Sequence, residues 1–489
     1  MRYAGRLVIM LAALAACGDS NRNSPMGDST TVPGDAGGVT DGGTGDGSGS
    51  GMGDGSGSGM GDGSGSGTGD GSGSGTGSGA PPEVDAAVCS RDGHGIMLPE
   101  GFCATVYADH AGKLRHIAVS PSGHVFAATE STSPTANDGH VVSLFDADND
   151  GVAEQMSTFG DIGGNGIAWK DDELYVAAND RIVAYCVNDG DSAPTSLEPT
   201  VIVSGLPADG DHPAKTVVVD GDMMYVNFGS PSNACQAANR QPHSPGKDPC
   251  DELDTRAGIW EFSPEKPDQT MECGTRIATG MRNTNAMALD GASGMLWGAI
   301  NGRDQLSDNW PELFTPAQDK VLPSDEVVAI TDQLDRGWPY CYHDAIAGEM
   351  KLAPEYGGDG AITGRCSAIP SPDVALPAHS APLGMVFVTG TQFPPAFRYG
   401  ALIANHGSRF DATAPAAELH GYDVEFIAFD SGRPTGAAVP FATGFDAGMR
   451  PLPQAAPHRP VGLAMMPDGS LLIGDDVGGR IWRVYYTGR

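Results

Sequence analysis

AMALDGASGMLWGAI, residues 286–300, is the stretch whose reading decides the fold. Two short apolar strands, Ala286–Leu289 and Met295–Ala299, flank a Gly-Ala-Ser-Gly turn, which is the pattern of a β-hairpin. An antiparallel return brings the chain back to the end at which it entered. Arg282 and Asn283, before the first strand, therefore share one end of the unit with Gly302, Arg303 and Asp304, after the second. A guanidinium, an amide and exposed backbone carbonyls at one end suit an anionic ligand together with a hard cation.

The same module recurs along the chain. It reads HIAVSPSGHVFAATE (116–130), GIAWKDDELYVAAND (166–180), TVVVDGDMMYVNFGS (216–230), GMVFVTG…GALIANHGS (384–408) and GLAMMPDGSLLIGDD (462–476). With residues 286–300 this makes six copies, and little helical periodicity lies between them. Repetition on this scale predicts an all-β, six-bladed β-propeller in which each copy supplies the two inner strands of a blade. Long intervening segments, such as 231–260 and 303–325, read as loops gathered at one mouth of the central channel.

The polar residues that flank the modules then fall on that mouth. Asp211 and His212 precede the third copy, His406, Gly407 and Ser408 end the fifth, and His458 and Arg459 precede the sixth. A histidine beside an aspartate, facing arginines across a channel, equips a general base in an anion-binding pocket.

The chain divides into three parts. Residues 1–17 have a short basic front (Arg2, Arg6), an apolar run and small residues before Cys17, which predicts an exported protein with a cleaved signal. The ending Leu14-Ala15-Ala16-Cys17 resembles a bacterial lipobox, so Cys17 is expected to carry lipid and hold the protein to a membrane, facing periplasm or cell surface. Residues 18–84 are Gly, Ser, Thr and Asp with almost nothing apolar to bury, and GDGSGSG(M/T) repeats from Gly45 to Thr76. This is a disordered tether, and Gly/Ser chains of its length reach roughly 45 Å. Residues 85–489 are the propeller.

The formal net charge of −34 sits mostly on the folded part. It argues against nucleic acid, which needs a basic face. It is compatible with bound calcium and with a basic electron-transfer partner. Of nine cysteines, setting Cys17 aside leaves 9 − 1 = 8, an even set that suggests disulfides in an exported protein. Proximity suggests Cys89–Cys103, Cys235–Cys250 and Cys341–Cys366, with Cys186–Cys273 left over. No CxxCH motif occurs, so no covalent haem is expected.

Residues 97–489 resemble the soluble quinoprotein glucose/sorbosone dehydrogenases, especially the L-sorbosone and pyranose dehydrogenase-like branch. The matching text is LPEGFCATVYA, GNGIAWKDDELYVA, DHPAKTVVVDGDMMYVNFGS, TGMRNTNAMALD, NGRD, RGWPYCYHD, HSAPLGMVF, HGS and RPVGLAMMPDGSLLIGDD, in family order. The resemblance implies pyrroloquinoline quinone (PQQ) and Ca2+ over the channel mouth, and oxidation of an aldose or sugar aldehyde. It implies His212 as base oriented by Asp211, and Arg282 against the quinone with Asn283 beside it. Backbone carbonyls of Gly302 and Arg303 would hold the PQQ-bound calcium, and Asp325 and Glu326 a further one. Lys215, Arg459 and Arg409 would meet the cofactor's carboxylates, and His406 belongs to the same cofactor-side set. The electron acceptor would be external, with a c-type cytochrome as the expectation. The family's Trp and Asn-Arg after HGS are replaced here by Arg409, Phe410 and Asp411, and Lys215 stands where Arg is frequent; both put the substrate in question more than the cofactor.

Two other readings stay open on the residues alone. One is a calcium-dependent hydrolytic propeller, which would want carboxylate and Asn ligands in the channel. The other is a non-catalytic propeller binding a glycan or protein at the cell surface. DADNDG (146–151) resembles the start of a calcium loop or is an acidic hairpin turn, and Trp338 is either blade core or a wall of the sugar pocket.

Overall fold

A computed structural model describes residues 89–130, 139–408, 420–447 and 456–488. The signal, the tether, Cys17 and Arg409 lie outside the described residues. Among the described residues no helix is long and apolar enough to cross a membrane.

Six blade sheets, antiparallel apart from one edge strand, follow one another along the chain, and Cys341–Asp344 with Glu349–Leu352 forms a seventh, two-stranded sheet among the described residues. Blade 1 is Leu114–Val119, Val125–Thr129, Val141–Phe145 and Gln155–Phe159. Blade 2 is Gly166–Lys170, Glu173–Ala177, Ile182–Cys186 and Thr200–Val203. Blade 3 is Val217–Asp220, Met223–Phe228, Gly258–Phe262 and Thr275–Thr279, with Leu334–Asp335 added in parallel at its edge. Blade 4 is Ala286–Asp290, Met295–Ile300, Asp325–Ile330 and Val374–Leu376. Blade 5 is Pro382–Phe387, Gly400–Asn405, Asp423–Asp430 and Val439–Ala442.

Blade 6 shows how the ring closes. Pro460–Met465, Leu471–Asp475 and Ile481–Tyr486 come from the C-terminal end, and the outer strand is Phe102–Ala108. Phe102 pairs with Tyr486 and Ala108 with Ile481. Pairing the first strand of the domain with its last removes an open edge. Each of the six modules read from sequence forms the two inner strands of one blade.

Strand side chains alternate between faces, and here both faces of each blade are apolar. The consequence is one hydrophobic cluster at each seam. Trp297, Ala299 and Val327 of blade 4 meet Met385, Phe387 and Ile427 of blade 5. Leu402, Val424 and Phe426 of blade 5 meet Ile473, Trp482 and Val484 of blade 6. Equivalent clusters join blades 6 and 1, 1 and 2, 2 and 3, and 3 and 4. The inner strands also crowd one another around the channel. A Cβ on Gly384 would overlap the Val461 carbonyl, and one on Gly462 the Arg115 carbonyl. This is why modules five and six place glycine early in the inner strand.

Three of the four proximity pairs are disulfides: Cys89–Cys103, Cys235–Cys250 and Cys341–Cys366. The fourth, Cys186–Cys273, does not form, and Cys186 is a free, exposed thiol. Cys186 ends the third strand of blade 2, whereas Cys273 lies in the short turn Met271–Cys273 leading to the outer strand of blade 3. Being left over in sequence had not brought them together in space.

Candidate active site

In every blade the entry to the inner strand and the exit from the second strand lie at the same end. At that end a cavity of about 180 Å3, open to solvent, is lined by His212, Arg282, Asn283, Asn301, Gly302, Asp304, Asp325, His379, Ala381 and Gly407. That volume lies below the roughly 300–1,000 Å3 of typical enclosed small-molecule sites, because the mouth is open to solvent.

His212 enters from the loop before blade 3. Its Nδ1 lies 2.8 Å from the Ser230 carbonyl oxygen and 3.1 Å from Ser230 Oγ. A carbonyl can only accept, so Nδ1 carries the proton and Nε2 is the basic nitrogen. Burial, and then the Arg282 charge, depress the imidazole from its ordinary value to about 3. It is therefore a neutral acceptor at physiological pH. Asp211 does not orient it. The Asp211 carboxylate is taken by Arg240, with Nε 2.9 Å from Oδ2, and the imidazole's Nδ1 is held by Ser230 instead.

Arg282 is buried. Its Nε donates to the Asn233 carbonyl (3.2 Å) and Nη2 to Asn233 Oδ1 (3.0 Å) and Asp304 Oδ2 (3.1 Å). Nη1 donates to the carbonyls of Gly302 (2.8 Å) and Asn301 (3.5 Å). The edge donors of the guanidinium are thus engaged by the protein. What the cavity receives from this residue is charge and a flat face, on which planar groups stack. Beside it, Asn283 Oδ1 is buried with no hydrogen-bond partner among the described residues. Such an atom costs free energy unless something meets it. A Cβ on Gly229 would come 2.6 Å from His212 Cβ and 3.1 Å from Asn283 Oδ1, so glycine there lets the two loops close.

Gly302 donates its N–H to Asp325 Oδ1 (2.7 Å), and Ala381 donates to Asp325 Oδ2 (3.0 Å). Asp325 is a buried bracket between the blade 4 exit loop and the blade 5 entry, and burial pushes its carboxyl up to about 6. Glu326 is its strand neighbour and faces the other way, toward a second, small cavity of about 30 Å3 that Arg336 and Trp338 also line. Arg336 Nε lies 3.1 Å from Glu326 Oε2. The expectation that both carboxylates reach one further calcium is corrected by strand alternation. The Arg303 side chain turns from the mouth to a buried ion pair with Glu355. Only backbone of this residue remains for the mouth.

Lys215 does not reach the cavity. Its Nζ donates to the Pro207 carbonyl (2.9 Å) and sits 5.4 Å from the centre of the Phe228 ring, in the seam of blades 2 and 3. Burial, then Arg256, pull the ammonium down to about 7. His406 and Arg459 stand across the mouth in their own network. His406 Nε2 is 2.8 Å from Asp476 Oδ2, Arg459 Nε donates to the His406 carbonyl (2.8 Å), and Arg115 Nη1 is 3.0 Å from Asp476. Of that group Gly407 lines the cavity. Trp338 lines the second cavity and not the mouth: it is buried, and its Nε1 donates to the Asn233 carbonyl at 3.0 Å.

Three residues of the site were not singled out in sequence, Asn233, Asn301 and His379, and Ser230 was not read as the partner of His212. Ser230, Asn301 and His379 stand at module exits or at an entry, inside the stretches NFGS, NGRD and HSAPLGMVF, so position could have found them. Asn233 lies in a long loop where no periodicity marks it. Away from the mouth, the carboxylates of Asp146, Asp148, Asp150 and Glu154 come within 4.8 Å of one another at a blade 1 hairpin, and Asp146 also pairs with Arg483 (2.7 Å).

A family model described as TrAA12-like matches residues 96–487. The calcium structure of the family AA12 enzyme of Trichoderma reesei is 19% identical, with 80% of this chain and 97% of that one covered at a TM-score of 0.64. The holo PQQ domain of pyranose dehydrogenase from Coprinopsis cinerea is 18% identical, with 80% and 97% covered at 0.63. At these identities the two share the fold. An uncharacterized protein of Borreliella burgdorferi is 32% identical over 211 residues, which is 43% of this chain. The chain spans about half the length of that relative, 48%.

Proposed function

The chain belongs to the TrAA12-like family, and from that premise we propose that it is a PQQ- and Ca2+-dependent dehydrogenase of an aldose or sugar aldehyde. The observation that carries this reading is the pairing, in one cavity, of a neutral histidine whose basic Nε2 is available with a buried arginine whose flat face is not spent on hydrogen bonds. Such a pair suits abstraction of a hydroxyl proton beside a planar anion. Asn283 Oδ1, otherwise orphaned, and the carbonyls of Gly302 and Arg303 offer oxygens to the cofactor and its cation.

When bound, PQQ supplies the two-electron acceptor and calcium polarises it. The chain's own residues do the rest. His212 Nε2 takes the proton from the hydroxyl at the anomeric carbon, or from a hydrated aldehyde. Ser230 holds the ring through Nδ1. Arg282, fixed by Asn233, Gly302 and Asp304, places positive charge where negative charge develops, the electrostatic contribution that is usually largest. Asp325 and Asn301 keep the blade 4 loop in register with blade 5.

The remaining assignments extend the same reading. The Leu14–Cys17 lipobox makes the protein an exported lipoprotein held by Cys17, and residues 18–84 stand the propeller off the membrane. The acidity of the chain suits a basic electron acceptor such as a c-type cytochrome. The test is reconstitution of the protein with PQQ and Ca2+, following dye reduction over a panel of sugars and aldehydes, with His212→Ala as control. Calcium-dependent turnover lost in the variant is expected. Failure of the wild type to bind PQQ would overturn the reading.

A further inference from the structure

The geometry points to a dedicated clamp on the site arginine, supplied from outside the blades: we infer that Asn233 is the positioning residue of Arg282, and that the loop closed by Cys235–Cys250 exists to hold it there. The inference rests on the reading of Arg282 as the group against which the cofactor lies.

Asn233 leaves blade 3 just past Met223–Phe228 and is fully buried. Every polar atom of it is committed. Its carbonyl accepts from Arg282 Nε (3.2 Å) and from Trp338 Nε1 (3.0 Å). Its Oδ1 accepts from Arg282 Nη2 (3.0 Å) and from the Asp304 N–H (2.9 Å), and its Nδ2 donates to the Asp304 carbonyl (2.9 Å). Its own N–H donates to Asn239 Oδ1 (3.0 Å). One residue thus grips the guanidinium on two nitrogens, Nε through its backbone carbonyl and Nη2 through its side-chain oxygen, and its side chain pins the backbone of Asp304, whose carboxylate accepts from Nη2 as well. Asn and no other residue type offers the acceptor and the donor at this reach.

The loop adds a second grip. Arg240 reaches Asp211 (2.9 Å), Gln305 (2.9 Å) and Asp304 (3.5 Å). Blade 3 is thereby tied to the blade 4 exit turn on either side of Arg282. Cys235–Cys250 shortens the free span of this loop, and both cysteines are buried against Trp338. A floppy loop could not hold a planar group to the tolerance that positioning requires.

The test uses the full chain without ligand. Arg282 guanidinium protons, buried and hydrogen-bonded, exchange slowly and give a resolved NMR signature. In Asn233→Ala their exchange is expected to quicken at least about 10-fold, while those of Arg336, whose partners are Glu326 and Pro370, stay unchanged. PQQ affinity is expected to fall about 10-fold or more in the same variant. Unchanged Arg282 exchange in folded protein overturns the inference. Should Asn233→Ala not fold, the exposed Asn239→Ala decides in the same way with a smaller change. Quickened exchange in a protein whose wild type ignores PQQ leaves the clamp standing and removes the cofactor reading; unchanged exchange with intact PQQ binding does the reverse.

Discussion

The two halves of the channel mouth draw on the same residue types and end in opposite states. On the blade 3–4 side, His212 is held by a carbonyl, Arg282 by amide and carbonyl oxygens and one carboxylate, and a cavity lies between them. On the blade 5–6–1 side, His406 is held by the Asp476 carboxylate, which also takes Arg115, while Arg115 Nε donates to Asn165 Oδ1 at 2.9 Å. Partner chemistry separates the two. A carbonyl fixes a tautomer without adding charge, so the ring stays neutral and basic at its far nitrogen. A carboxylate neutralises the cations around it and leaves a closed, self-satisfied network. On the proposed reading the same His-plus-Arg vocabulary builds a reactive wall on one side and a strut on the other.

The largest effect should come from swapping the histidines' fates. His212→Ala is expected to lower turnover of the reconstituted enzyme by about 10^3-fold, the usual worth of a general base. His406→Ala should cost less than about 10-fold in turnover. Equal losses, measured as kcat with the cofactor shown to be bound, would mean that the strut is reactive too.

Next comes stability. Asp476→Asn leaves Arg115 and His406 buried with a weakened partner, and removing one member of a buried pair costs about 3 kcal/mol. Denaturant unfolding of the variant should show that loss. A cost below about 1 kcal/mol would show that Asn165 alone carries Arg115, and that the closed half is less electrostatic than its geometry.

What the sequence disclosed about this contrast depended on periodicity. The six modules were legible because period-two alternation between glycine-bearing turns survives in each, and the antiparallel return then put His212, Arg282 and Gly302 at one end without any knowledge of contacts. Facing was harder. Lys215 stands three residues from His212 yet turns into the seam behind Phe228, and Glu326 turns from the mouth that Asp325 lines. Both placements came with the family resemblance, which aligns positions along the chain and does not say which way a side chain turns. Asn233 was invisible because its loop has no period, and its partners are the nitrogens of Arg282 from 49 residues away. Cys186 was paired by elimination, which carries no geometry.

A smaller effect is expected in pH dependence. His212 has a folded value of about 3, below that of an unfolded imidazole. Its neutral form is therefore the one the fold favours, and that contribution is complete above the ordinary imidazole value and lost as pH falls through about 3. The acid limb of kcat should accordingly lie well below the ordinary imidazole range, with turnover at pH 5 close to that at pH 7. A limb centred near the unperturbed value would mean that the Arg282 charge and the burial around His212 are relieved in the working enzyme, and the two halves of the mouth would then be less different than they look.

The smallest functional change should follow Lys215→Met, which sharpens the comparison by removing a cation that belongs to neither half. Burial holds the folded ammonium at about 7, under its ordinary value of 10.5. The fold therefore disfavours the charged form, and the wild type should gain stability as pH rises from about 7 toward the ordinary lysine value. Methionine fills similar volume, keeps the contact with Phe228 and has no proton to lose, so the variant should lack that slope in a Tm-against-pH series. PQQ affinity should stay within about 2-fold, because Nζ donates to the Pro207 carbonyl in the seam and not to the cavity. A drop of about 10-fold or more would show that Lys215 swings to the mouth when the cofactor arrives. It would then restore the role that the family resemblance first implied.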